Sequence, residues 1–153
     1  MSTQPPVRII GFVGPLYDRL QPLSYPFMRF ITGLFLMPHG ADKLFGVFGG
    51  GIEQTAGFFA HVGLQPALPL AYLVGGTEFF GGLCIAIGLL TRPAAVGVII
   101  LMAVAILGVH LPHGFFAQAG GFEYPALWGA MALGILIRGG GEFSVDRAIG
   151  REF

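Results

Sequence analysis

Ionisable residues interrupt strongly apolar stretches of this sequence. His39, Asp42 and Lys43 lie in PFMRFITGLFLMPHGADKLFGVF (26–48), and Glu78 is at the middle of ALPLAYLVGGTEFFGGLCIAIGLL (67–90). In a hydrocarbon layer each such group costs several kcal/mol unless it is paired or hydrated, which makes it a candidate for chemistry. Glu78 is about 11 residues from either end of its stretch, about 16 Å deep in a helix. A carboxyl at that depth keeps its proton or faces a cation. His39, Asp42 and Lys43 are spaced i, i+3, i+4 and share one helical face. His39 falls about 13 Å, and the other two about 8 Å, below one surface. Pro38 removes a backbone hydrogen bond and permits a bend beside His39. A third apolar stretch, PAAVGVIILMAVAILGVHL (93–111), brings His110 to the same side, and His113 follows in the loop. Glu78 and His39 are therefore candidates for proton exchange, and Arg29, Asp42, Lys43 and His110 for holding a ligand. A structural alternative stands beside each: an interhelical hydrogen bond for Glu78, snorkelling of Lys43 with Asp42 as its partner, and a lipid phosphate for Arg29. His39 and His110 differ in depth by about 9 Å, a poor fit to bis-histidine haem ligation. HxxH at 110–113, with Glu123 or Asp42, is a weak metal pattern, so no metal site is expected.

The elements that must position these residues follow from hydropathy. The chain is 54% hydrophobic and 10% charged, with mean hydropathy +0.77, against roughly 25% charged residues in an average soluble domain. A span needs roughly 20 mainly apolar residues. Four such windows are present, at about 26–48, 67–90, 93–111 and 120–138. The strongly apolar part of the last, Tyr124 to Ile137, is short, so it either begins upstream near Phe115 or follows a re-entrant segment at Gly120 and Gly121. Thr91, ahead of Arg92 and Pro93, is expected to cap the third helix. Lys and Arg are retained on the cytoplasmic side. Arg8, Arg19 and Arg29, then Arg92, then Arg138, Arg147 and Arg151 share one side when there are four spans. The expected fold is an all-α integral membrane four-helix bundle with both termini cytoplasmic. Residues 1–25 are a cytoplasmic lead-in, 26–138 the transmembrane domain and 139–153 a cytoplasmic tail.

Helices in lipid approach each other through small residues. Ala126, Ala130 and Gly134 recur every four residues on the fourth window, and Gly82 with Ala86 does so on the second, so these faces are expected to meet other helices. Phe45, Phe48, Phe58, Phe59, Phe115, Phe116, Phe122, Tyr124 and Trp128 crowd one side, as an interfacial belt or as the wall of an apolar ligand site. Lys+Arg and Asp+Glu are both 8, with no basic run of the kind that binds nucleic acid. Cys84 is the sole cysteine, which excludes an internal disulfide, a CxxC relay and a thiolate cluster built from this chain alone.

Arg29, Gly33, HGADKLFG at 39–46, Glu78-Phe-Phe-Gly-Gly-Leu, GLLTRPAA at 88–95 and GGGEFSVDRAIG at 139–150 follow one another in an order and spacing that resembles the DoxX family. The resemblance covers about residues 26–148. Arg29, Gly40, Lys43, Leu44, Glu78, Gly82, Thr91 and Arg92 match its pattern. It implies a small four-helix protein of a bacterial or archaeal cytoplasmic (inner) membrane. The family takes its name from a membrane subunit of a thiosulfate:quinone oxidoreductase, and other members resemble partners of redox or detoxifying proteins. No catalytic role transfers with the fold. Three function classes stay open: a redox or respiratory component with a quinone site in the outer half of the bundle, an accessory subunit packed against a membrane complex or a second copy, and a small-molecule or proton carrier. Under the first, quinone is the one cofactor implied. Electrons would come from a protein partner, because the chain has no flavin motif or cysteine cluster.

Overall fold

A computed structural model describes residues 9–153, and Arg8 with the rest of residues 1–8 lies outside them. Among the described residues every regular element is a helix. Helix α1 spans Gly14–Phe45 and follows a single 3-10 turn, Gly11–Val13. It starts well before residue 26, so residues 14–25 of the expected lead-in belong to the helix. Pro15 occupies its first turn, where a missing N–H is harmless. Pro22, Pro26 and Pro38 each remove one backbone bond without ending the helix, a cost that membrane-type helices tolerate when neighbours satisfy the freed groups. Gly46, at φ 67°, ends α1 by donating to the Asp42 carbonyl at 2.9 Å.

Helix α2, Ile52–His61, occupies what the sequence presents as a loop. Helix α3, Ala67–Ile87, and helix α4, Thr91–His113, are long and apolar enough to cross a membrane. Helix α5 spans Glu123–Arg138, beginning three residues later than expected, and a single turn, α6, spans Val145–Ala148. Residues 114–122 form a tight loop: Phe122 and Glu123 donate to the carbonyls of Gly114 and Phe115, and Ala117 donates to the Glu123 carboxylate.

α1 packs antiparallel along α3, and α4 along α5. Leu36, Ile85, Ala95, Val98, Met102, Ala132 and Ile135 are the core between them. Gly33 and Gly40 make the first contact possible. A Cβ on Gly33 would strike the backbone of Gly82 and Ala86, and one on Gly40 the backbone of Gly75 and Phe79. Outward faces are apolar: Ile137 is 74% exposed and Leu107 71%. Contiguous surface of this kind is stable in hydrocarbon and not in water.

At one end of the bundle, here the basal end, the C-terminal segment closes over the α3–α4 turn. Asp146 accepts from Leu90 N–H at 2.8 Å, Thr91 N–H at 2.9 Å and Thr91 Oγ at 2.7 Å, while its own N–H donates to Gly88. Thr91 is thus the first residue of α4 and not its cap. Its hydroxyl donates to Asp146, which caps the helix from 55 residues away. At the opposite, distal end a cavity lies between the helices.

Candidate site in the distal cavity

Lys43 and Glu78 meet across the α1–α3 contact, with Nζ 2.7 Å from Oε2. Their side chains are 26% and 10% exposed. Removing one member of such a pair leaves the other without its partner in a poorly hydrated place, so each holds the other in position. Gly40, one turn before Lys43, lets the two backbones close to this distance. Glu78 lies in a π turn, Thr77–Gly81, and His110 ends another, Ile106–His110. π turns recur at functional positions.

The pair borders a cavity of about 740 Å³ whose lining takes in residues from α1 to α5. His39, Lys43, Glu78 and His110 are its basic and acidic side chains, and the rest of the lining is mainly apolar, from Phe35, Leu36 and Pro38 to Leu101, Met102 and Trp128. His110 Nδ1 is 2.7 Å from the Gly120 carbonyl. A carbonyl only accepts, so Nδ1 donates in this contact and Nε2 is free of it. Volume, apolar lining and a few convergent polar groups are what a small-molecule site requires.

Of the residues expected to gather here, these four do. Asp42 does not: its Oδ1 accepts from Phe48 N–H at 2.9 Å and Gly50 N–H at 3.0 Å, fixing the loop after α1. Lys43 has chosen Glu78 instead of Asp42. Arg29 is at the basal end, 2% exposed, and donates to the carbonyls of Gly140, Phe143 and Ala86. It ties α1 and α3 to the C-terminal segment and reaches neither a lipid phosphate nor the cavity. His113 turns back to the Val109 carbonyl, and among the described residues no three His, Cys, Asp or Glu side chains form a set that could hold a metal ion.

The family model described as DoxX matches residues 26–111. The chain belongs to the DoxX family. Two relatives carry the comparison further. "Uncharacterized membrane protein Rv3486" of Mycobacterium tuberculosis (strain ATCC 25618 / H37Rv) is 31% identical over 94% of this chain and 94% of its own length. "Putative oxidoreductase CatD" of Bacillus subtilis (strain 168) is 33% identical over 63% of this chain, which spans 66% of that protein. No solved structure matches at a significant level.

In this DoxX protein the matched region holds His39, Lys43, Glu78 and His110, but the cavity also needs residues beyond it, notably Tyr124, Pro125 and Trp128 of α5. Phe59 and Leu64, from α2 and the loop after it, close another side. The aromatic clustering in the sequence pointed toward Phe59, Tyr124 and Trp128. Nothing in it marked Leu64, because the sequence gives no sign that α2 folds back over the cavity. Gly82 packs against Gly33 and Met37 as its small size suggested. Ala126 is half-buried, but Ala130 and Gly134 are exposed, and a Cβ on Gly134 would meet nothing within 4 Å. α5 buries Ala132 and Ile135 instead and sets Gly129 against Met102. Seating Ile135 in the core sets the phase of α5, and Ala132, one turn before it, follows it inward.

Proposed function

We propose that this DoxX-family protein is a four-span component of a redox or respiratory system of the cytoplasmic membrane, with both termini cytoplasmic, and that its distal cavity takes a lipid-soluble, quinone-like ligand. The observation that carries the reading is the Lys43–Glu78 pair bordering a cavity of about 740 Å³ that is otherwise apolar. Basic residues support the orientation: Arg29, Arg92, Arg138, Arg147 and Arg151 all belong to the basal end, and the distal loops have no Lys or Arg. α5, at 16 residues, is about 24 Å long and spans only with local thinning of the bilayer. A relative whose name includes the word oxidoreductase is consistent with the redox setting.

A quinone takes up two electrons and two protons at its ring oxygens, and here the electrons would come from a protein partner. The chain's own groups bind and handle protons. The Lys43 ammonium donates to a ligand oxygen and balances negative charge there, while Glu78 keeps that ammonium in place. His39 and Glu78 are able to give and regain protons at the cavity wall. The apolar lining excludes water and holds a ring.

Trp128, the chain's one tryptophan, lines the cavity and reports on its contents. Titration of the detergent-solubilised protein with decylubiquinone should quench its fluorescence saturably. Glu78→Gln should weaken that binding about tenfold, the worth of a hydrogen bond to a charged group. Linear quenching that is the same in both proteins would refute the quinone reading.

One observation favours a second reading, an accessory subunit. The outward Ala130 and Gly134 leave a shallow face on α5 that a helix of another protein, or of a second copy, fits closely. On that reading Glu78→Gln leaves partner activity intact, and Gly134→Leu releases the partner.

A further inference from the structure

The basal end holds a second cavity, of about 430 Å³, lined by Arg138, Arg147 and Arg151 together with Gly141, Ser144, Asp146, Gly150 and Glu152. Its charge is less balanced than that composition suggests. Asp146 spends both carboxylate oxygens on Leu90 and Thr91. Glu152 accepts from Gly140 N–H at 3.1 Å and pairs with Arg92 at 3.5 Å. Among the described residues no carboxylate forms an ion pair with Arg138, Arg147 or Arg151. Arg138 lies over the Tyr25 ring, 4.7 Å from its centroid, a contact that orients the guanidinium without neutralising it. Three positive groups therefore converge on one polar pocket whose two acids are engaged elsewhere.

We infer that this pocket binds the phosphate group of an anionic membrane lipid. Guanidinium groups match phosphate oxygens with paired donors. The lipid source follows from position. Arg138 is the last residue of α5, where a span meets the headgroups. The side chains that flank the arginines in the chain are exposed and apolar: Ile137 at 74%, Ile149 at 55% and Phe153 at 65%. A free phosphate has no use for these neighbouring apolar side chains, whereas acyl chains do. Basic pockets at the cytoplasmic ends of spans take anionic headgroups in this way. The inference rests on α5 crossing the bilayer, and it is independent of what the distal cavity holds.

The test is native mass spectrometry of the purified full chain, titrated with phosphatidylglycerol and with phosphatidylcholine of the same acyl chains. The comparison is with Arg147→Gln/Arg151→Gln, two exposed positions whose side chains make no hydrogen bond or ion pair among the described residues, and with Arg19→Gln as a distant basic control. The wild type should prefer phosphatidylglycerol, and the double variant should lose roughly twenty-five-fold of that preference, about fivefold per arginine. Arg19→Gln should keep it. An unchanged preference in the double variant overturns the site. Displacement of the lipid by millimolar inorganic phosphate would also overturn it, by making the pocket a free-anion site. Alkaline washing of the membranes separates the premise from the inference. A protein that is released overturns the membrane reading and the lipid site together, whereas one that is retained but shows no preference overturns the site alone.

Discussion

Asp146→Ala removes the acceptor of three hydrogen bonds that cap α4 and hold the α3–α4 turn, at 2.7–2.9 Å, from a residue 2% exposed. A hydrogen bond to an ionised group is worth about 1.5–3 kcal/mol. The three share one carboxylate and are not independent, so the loss should be about 3–5 kcal/mol rather than their sum. At roughly 2–4 °C per kcal/mol for a chain of this size, the unfolding midpoint should fall by about 6–20 °C. The assay is thermal unfolding in detergent, followed by far-ultraviolet circular dichroism, with tryptic cleavage at Arg147 and Arg151 as a local readout. The pH profile provides an internal check. Burial acts to raise the Asp146 pKa, but hydrogen bonds from Thr91 and Leu90, with the charge of Arg29, hold it below the ordinary value of 3.8. Because the folded-state value is the lower one, its stabilisation is complete above the ordinary value and is lost as pH falls through the folded value. The variant should therefore show a shallower loss of stability in acid. A midpoint within about 2 °C of wild type, or an unchanged acid limb, would refute the idea that this carboxylate clasps the basal end.

Two further predictions concern α1. Lys43→Met leaves Glu78 without its cation and should destabilise the fold by about 3–5 kcal/mol, whereas Lys43→Met/Glu78→Leu should recover most of that loss in the same thermal assay. Gly40→Ala drives a methyl into the backbone of α3 and should cost about 1–3 kcal/mol. Gly134→Ala, with nothing within 4 Å of the new Cβ, should be neutral or slightly stabilising by helix propensity. Equal effects at the two glycines would mean that α1 and α3 are not in close contact.

What was legible in the sequence depended on whether a signal was local. The long apolar windows gave α3 and α4, because hydropathy over 20 residues is a property of the segment itself. Glu78 and Lys43 stood out because charge in such a window is costly, and the same reasoning found His39 and His110. Arg29 and Asp42 carried the same signal of cost, but their solutions are backbone carbonyls and N–H groups of distant or looped segments, which sequence does not display. The start of α1 was obscured by Pro22 and Pro26, whose breaking tendency is overridden when the helix is held along its length. The small-residue period on α5 was real but phased away from the core. Asp146 gave no advance sign, since its partners lie some 55 residues away.

The π turn at Thr77–Gly81 works as a phase shifter between two registers. Basal to it, Gly82 and Ala86 must keep Gly33 in contact; distal to it, Gly75 must keep Gly40 in contact, with Glu78 inside the turn aimed at Lys43. A regular helix advances 100° per residue, so one rigid phase would have to serve both demands. The extra residue of a π turn uncouples them. Deleting one residue within 79–81 would leave either half well packed and swing the other around the helix axis. The α1–α3 contact is thus two independently aligned joints, and the distal one can change its side chains without resetting the basal one.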